Sequence, residues 1–165
     1  MKAKENIKMQ GSFLIEARDA KTGKLLKVWR LKNTLTNINR TIRSQMLMGT
    51  YTGGNNALAI KYFALGNGNT SGSNAPSPTD TRLNNEVFRK QITQITNPST
   101  GVVQSVVSLG TQEANYSLTE IGVFCGDSAT SATNSGTLLS RIAFSFQKNS
   151  NIILNIVRTD TCTIN

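Results

Sequence analysis

The sequence contains no histidine among its 165 residues. Histidine is the commonest general base and a frequent metal ligand, so its absence removes the usual activator of a catalytic serine or cysteine. The nine acidic residues are scattered, and the closest pairs are Glu16 with Asp19 and Asp80 with Glu86. Both pairs lie in polar turns that lack the apolar pocket an acid/base dyad needs. We therefore expect no enzyme activity, no cofactor and no metal site.

Cysteine is also scarce, with only two residues in the chain. Cys125 and Cys162 are too far apart in sequence for a metal-binding motif, and two cysteines do not make a disulfide framework. Cys125 lies at strand spacing from Ile121 and Val123, which predicts a buried free thiol.

Long apolar runs are missing as well. No segment approaches the roughly 20 apolar residues that a membrane-spanning helix requires. The first ten residues are basic but lack the apolar stretch of a signal peptide. We expect a protein without a membrane partner that is made in a reducing cytoplasm.

Acidic residues are few, and the resulting positive charge is unevenly distributed. Residues 1–43 hold 11 Lys and Arg against 3 Asp and Glu, a net charge of +8, whereas the remainder holds 7 against 6, a net of +1. A solvated basic face, a docking surface for an acidic protein and a nucleic-acid surface are the alternatives. Nucleic acid is the least favoured, since only Phe13 and Trp29 interleave with the basic residues.

The composition favours β-structure. Asn, Ser and Thr make up about a third of the chain. These side chains compete with the helical backbone for hydrogen bonds and suit turns and short strands. The sequence predicts a mainly β, sandwich-like domain with two sheets, about eight strands and one α-helix.

The sequence predicts a flexible basic arm at 1–10, followed by a single domain at 11–165. The domain has three parts. A hairpin covers 11–32 and turns at 19–23, where Gly23 permits a tight reversal. A helix near 35–48 follows from the apolar stripe of Leu35, Ile38, Ile42 and Met46, which we interpret as a packing face. The sandwich strands occupy 58–162, with one strand predicted at 87–95 and polar loops at 66–78 and 127–136.

Short motifs occur in a fixed order along the chain. A strand ending in A-L-G-x-G at 64–68 leads to P-x-x-x-D-T-x-L-x-N-E-V-x-R-K at 76–90. The segment 120–124 fits E-x-G-[LV]-F. The segment 136–144 fits G-T-x-L-A-R-x-x-F, except that Ser140 replaces the alanine. Earlier in the chain, K-N-x-x-T-N matches Lys32, Asn33, Thr36 and Asn37.

This order of motifs resembles a family of small structural proteins from the virions of tailed bacteriophages. The resemblance covers about residues 11–160 and implies a non-enzymatic component of the tail, fibre, baseplate or neck. It implies assembly as symmetric copies, contacts with other virion proteins, and assembly in the host bacterial cytoplasm before incorporation into the virion. The family motifs imply structural roles and no active site.

Two alternatives remain open at this stage. The chain is alternatively a head-fibre or capsid-surface decoration protein, or a carbohydrate-binding module that recognises a host-surface glycan. The second alternative needs aromatic rings for stacking on sugars, for which Trp29, Tyr51, Tyr62 and Tyr116 are the candidates. Under each of these readings, the polar loops at 66–78 and 127–136 are expected to face solvent or a host surface.

Partner docking is predicted at the basic second strand of the hairpin. Lys24 and Arg30 flank Trp29, which combines positive charge with an aromatic anchor. The candidate docking residues are Lys24, Lys27, Trp29, Arg30 and Lys32.

A structural ion pair is predicted for Glu120. It lies in an apolar strand, where an unpaired charge is costly. Arg89 and Arg141 lie in similar strands, so either one is the expected partner.

Overall fold

The computed structural model describes residues 7–54 and 56–164. Within these ranges the chain forms ten strands, one α-helix and a short 3₁₀ turn at Gly72–Asn74. In chain order these elements are β1 (Ile7–Asp19), β2 (Leu25–Lys32), β3 (Thr34–Leu35), α1 (Asn37–Leu47), β4 (Ile60–Gly66), β5 (Glu86–Gln91), β6 (Gln94–Ser99), β7 (Val102–Leu109), β8 (Ser117–Cys125), β9 (Thr137–Gln147) and β10 (Ile152–Ile164).

The strands form two antiparallel sheets of five strands each. Sheet 1 has the order β2-β1-β10-β7-β6, and sheet 2 has the order β3-β9-β8-β4-β5. The predicted two-sheet, mainly β fold with one helix is therefore confirmed. The hairpin strands belong to sheet 1, because β1 pairs along its whole length with β10.

The core lies between the two sheets. Alternate residues of each strand point to one side, so every second side chain enters the core. Phe13 and Ile15 of sheet 1 meet Phe63, Ile121 and other residues of sheet 2 in one apolar cluster.

The described residues form ten strands, whereas about eight were predicted. The short strand β3 is one addition, and the predicted strand 87–95 divides into β5 and β6. The division falls where the chain leaves one sheet for the other. The Ile92 N–H donates to Lys61 O in sheet 2 at 2.9 Å, whereas the Thr93 N–H donates to Val106 O in sheet 1 at 3.0 Å.

The flexible arm predicted at 1–10 does not include residues 7–10. Residues 7–10 belong to β1, because they pair with residues 161–164 of β10. Residues 1–6 lie outside the described part of the chain.

The helix begins at Asn37 instead of residue 35, because Leu35 pairs with Ser140 in sheet 2. Ile42 is buried, but Ile38 and Met46 are 41% and 42% exposed. The predicted packing stripe is therefore only partly buried, since α1 rests mainly on the single strand β9.

Candidate functional site

Two loops cover the outer face of sheet 2. We call residues 67–85 the first loop and residues 126–136 the second loop. Ala64 and Phe124 on that face form an apolar cluster with Leu83 from the first loop and Ala129 from the second. This cluster is separate from the main core, as expected for residues that alternate with core positions along a strand.

Gly122 makes room for the first loop. A Cβ at this position would lie 2.7 Å from Leu83 Cδ2 and 3.0 Å from Leu138 Cδ1. The glycine of the E-x-G motif therefore lets Leu83 approach the β8 backbone closely.

An ion-pair network of three side chains anchors the first loop. Arg141 Nε donates to Glu120 Oε2 at 2.8 Å, and Arg141 Nη1 donates to Asp80 Oδ2 at 2.9 Å. One guanidinium thus meets two carboxylates, and backbone groups supply further donors. The N–H groups of Asn84 and Asn85 donate to Glu120 at 3.1 and 3.0 Å, and the Ser77 N–H donates to Asp80 at 2.8 Å.

The glycines of the A-L-G-x-G motif lie against the same network. A Cβ at Gly66 would be 2.5 Å from Glu120 Oε1, and one at Gly68 would be 2.6 Å from Asn84 Cβ. These glycines therefore let the backbone pack closely around the buried carboxylate of Glu120.

A second ion pair anchors the second loop. Arg89 bonds Glu86 through two contacts of 2.6 and 2.9 Å, and both side chains are almost fully buried. Arg89 Nη1 also donates to Thr130 O at 2.9 Å and to Ser135 O at 3.0 Å, while the Asn134 N–H donates to Glu86 at 3.0 Å. The guanidinium lies 4.5 Å from the centre of the Phe124 ring, within the range of a cation–π contact.

Of the three residues proposed for a structural ion pair, Glu120 and Arg141 are brought together, while Arg89 pairs with Glu86. Sequence reasoning missed Asp80 and Glu86 as partners of these arginines. The spacing of three between Glu86 and Arg89 does not predict their pairing, because residues three apart in a regular strand face opposite sides. A register shift in β5 opposite Leu65 and Gly66 brings them together.

The docking residues predicted on β2 divide between two faces of the strand. Trp29 lies opposite Ile15 of the core, and its ring packs edge-on against Phe144 and Phe146 with centroids 5.8 and 4.9 Å apart. Lys27 Nζ lies 4.8 Å from the centre of the Trp29 ring. Trp29 is therefore not an outward anchor beside Arg30.

Arg30 and Lys32 lie on the opposite, outer face of sheet 1. They pair with Leu14 and Ser12 of β1, which alternate with the core residues. Lys24 lies in the exposed turn before β2.

The outer face of sheet 1 is open. The described residues that point outward from β1, β2, β7 and β10 are half-buried or exposed. An apolar row of Leu14, Val157 and Val106 crosses three strands and meets Arg30 at its end. A depression of about 400 Å³ lies at this end, and its lining includes Arg30 and Lys32.

Two of the four rings considered for sugar stacking are already in contact with other side chains. Trp29 contacts two phenylalanines, and Tyr62 lies 5.5 Å from the Arg89 guanidinium. Tyr51 is half-buried and Tyr116 is exposed.

Two antiparallel sheets, with sequence motifs that fix loops onto one of them, describe a β-sandwich-like domain. The sequence profile of the phage tail-collar fibre protein N-terminal family matches residues 32–158, well over half of the chain. The chain therefore belongs to this family and is a phage tail fibre structural protein, a component of the virion. No curated protein and no solved structure matches the sequence significantly.

No helix in the described ranges 7–54 and 56–164 is both long and apolar enough to cross a membrane.

Proposed function

We propose that this chain is a non-enzymatic subunit of the tail fibre apparatus that docks on an acidic neighbouring virion protein. Docking uses the open outer face of sheet 1 and its edge strand β2. The observation that carries the proposal is the contrast between the two sheets. The outer face of sheet 2 is covered by the chain's own loops, whereas the outer face of sheet 1 is open and carries Arg30 and Lys32 at one edge.

The composition of the open face supports this role. Protein interfaces combine a largely apolar centre with a polar rim. The row of Leu14, Val157 and Val106 supplies such a centre, and Arg30 and Lys32 supply a basic rim. Positive charge there speeds association with an acidic surface and disfavours basic partners.

The exposed edge of β2 supports docking further. An edge strand presents unpaired backbone N–H and C=O groups that can pair with a strand from another chain. Leu25 and Leu26 on this strand are 43% and 51% exposed.

Exposed apolar side chains at the end of α1 support assembly as symmetric copies. Met46, Leu47 and Met48 are 42%, 89% and 66% exposed. Contiguous exposed apolar residues of this kind mark contacts with other chains. Two copies that meet there would cover each other's helix ends.

Charge reversal on the open face tests the docking proposal. Replacing Arg30 and Lys32 with Glu should prevent incorporation into particles, because the substitutions place like charges against an acidic partner. The matched control replaces Arg40 and Arg82, two exposed arginines elsewhere, with Glu. Both variants change the net charge equally and should remain folded by circular dichroism. Equal incorporation of the two variants would contradict the proposal.

A further inference from the structure

A cavity of about 260 Å³ opens between the two sheets beside α1. It lies away from the docking surface, since sheet 1 lines it with residues of β6, β7 and β10. Most of its wall is apolar, and two of its lining residues are charged. The lining includes Ile60, Ile95, Val103, Leu139, Arg43 and Asp160.

A fully buried arginine adjoins this cavity. Arg158 lies two residues before Asp160 on β10, on the same inner side of the strand, and has no exposed surface. Its Nη2 donates to Asp160 Oδ1 at 2.7 Å. Asp160 therefore links the buried guanidinium to the wall of the cavity.

Buried polar atoms without a hydrogen-bond partner are concentrated around Arg158 and Asp160. In the described part of the chain, eight buried side-chain polar atoms lack a hydrogen-bond partner. Half of them are Arg158 Nε, Arg158 Nη1, Asp160 Oδ2 and the hydroxyl of Ser105, the residue paired with Arg158 across β7 and β10. Buried polar groups are normally paired, because leaving one unpaired costs about 1–3 kcal/mol.

The charges around the cavity favour an anion. Burial lowers the pKa of the Arg158 guanidinium, the nearby Asp160 carboxylate opposes this effect, and the positive charge of Arg43 adds to the lowering. Arg43 and Arg158 therefore repel each other, and Asp160, the carboxylate that bonds Arg158, lines the cavity together with Arg43. A second carboxylate would balance this charge and accept hydrogen bonds from the guanidinium groups.

We propose that this cavity binds a carboxylate carried on a short apolar stem, supplied by an acidic segment of a neighbouring virion protein. The apolar wall takes the stem, and Arg43 of the lining takes the carboxylate next to the Arg158–Asp160 pair. The volume is below the usual range of about 300–1,000 Å³ for drug-sized ligands, so it suits one side chain or a similarly small group. Only the source of the carboxylate rests on the proposed role in the virion.

Small aliphatic acids test the site itself. Hexanoate should raise the melting temperature saturably at millimolar concentrations, because a ligand that binds only the folded state stabilises it. At equal ionic strength, 1-hexanol should bind at least about tenfold more weakly, since it lacks the charge that Arg43 recognises. Hexanoate should also shift the methyl NMR signals of Ile60, Ile95, Val103 and Leu139.

A matched pair of variants locates the binding. Arg43→Met keeps most of the side-chain volume but removes the charge, and it should weaken hexanoate binding at least about tenfold. Arg40→Met changes an exposed arginine on the same helix that is not among the residues lining the cavity. It should leave hexanoate affinity within about twofold of the unmodified protein.

Three results would overturn this inference. One is the absence of saturable hexanoate binding. Another is equal binding of hexanol, which would show an apolar cavity without carboxylate recognition. The third is equal loss of hexanoate affinity in the Arg43 and Arg40 variants. None of these results depends on whether Arg30 and Lys32 direct incorporation into particles, so this test is independent of the docking test.

Discussion

Glu120 is a buried carboxylate that accepts several hydrogen bonds. It has no exposed surface, and it accepts hydrogen bonds from Arg141 and from the N–H groups of Asn84 and Asn85. Glu120→Ala leaves Arg141 with only Asp80 as an acidic partner and removes the acceptor of the Asn84 and Asn85 N–H groups. Removing one partner of a buried ion pair costs about 3–5 kcal/mol, so we expect a loss of that size in denaturant unfolding.

Glu16→Ala is the control for this measurement. Glu16 also pairs with an arginine, Arg18, at 2.8 Å, but both side chains remain partly exposed. Partly exposed pairs contribute about 0–1 kcal/mol, so this variant should lose little stability. Equal losses from the two substitutions would refute the structural role of Glu120.

Glu113 should make stability depend on pH in the acid range. Burial raises the pKa of Glu113, but hydrogen bonds from Lys90 and the Gly110 N–H, with the charges of Lys90 and Lys148, lower it below its ordinary 4.5. The unfolded chain therefore binds a proton at higher pH than the folded chain does. The stabilisation is present above about pH 4.5 and is lost as the pH falls through the lower folded value.

Glu113→Gln should remove this contribution. The difference in unfolding free energy between the unmodified protein and the variant should be largest above pH 5 and shrink on acidification. Urea titrations across this range measure the difference. A difference that stays constant with pH would contradict the assignment.

The sequence identifies some of these residues but not their full network. Glu120 and its arginine partner follow from charges placed in apolar strands, where pairing is expected. The sequence does not predict the contacts of Asp80 or of the Asn84 and Asn85 N–H groups. These residues lie in a loop whose path over the sheet depends on tertiary packing. Arg158 and Lys148 are equally buried, but nothing in their sequence surroundings distinguishes them from exposed basic residues.

At the scale of elements, each loop depends on its own arginine. Arg89 holds the second loop through Thr130 and Ser135, while Arg141 holds the first loop through Asp80 and Asn74. Arg89→Met should therefore increase hydrogen exchange at the Asn134 amide, whose partner Glu86 loses its counter-charge. The amides of Asn84 and Asn85 should keep their protection, since they bond Glu120.

Exchange measured by NMR on the folded variant separates the two loops. Local opening of one loop without the other reports independent cooperative units. Equal acceleration in both loops would show that Arg89 supports the whole sheet instead of one loop.

The end of α1 makes a separate prediction about assembly. Leu47→Asp should dissociate a symmetric oligomer, because it places a charge in an apolar contact between copies. Light scattering of the purified protein gives the mass. Leu26→Asp alters another exposed leucine, which lies on β2 and is 51% exposed, and it should leave the oligomer intact. A monomeric unmodified protein at micromolar concentration would contradict the assembly proposal.

The sequence pattern does not predict the change of sheet between β5 and β6. Residues 87–95 read as one continuous strand, yet the chain changes sheets at Ile92 and Thr93. Alternation of apolar residues reports burial but not which sheet supplies the hydrogen bonds. Pro98 is a sequence signal for an edge strand, since proline in a sheet is confined mainly to edge strands. It lies in β6, which is the edge of sheet 1.

At the scale of the whole molecule, the two sheets have different surroundings. The motifs at 64–68, 76–90, 120–124 and 136–144 meet on the outer face of sheet 2, where the two loops pack against Phe124 and its neighbours. The outer face of sheet 1 stays open, and the basic residues of β2 lie at its edge. Arg30 and Lys32 of the basic N-terminal third lie on this face, whereas Trp29 belongs to the packing between the sheets.

A cryo-EM reconstruction of the phage particle tests this account most directly. We predict that each copy of the chain lies in the tail fibre apparatus, with the outer face of sheet 1 and strand β2 against an acidic surface of another virion protein. Arg30 and Lys32 should lie within that contact, while the loops on sheet 2 remain outside it. A map in which the outer face of sheet 1 faces solvent in every copy would contradict the central claim.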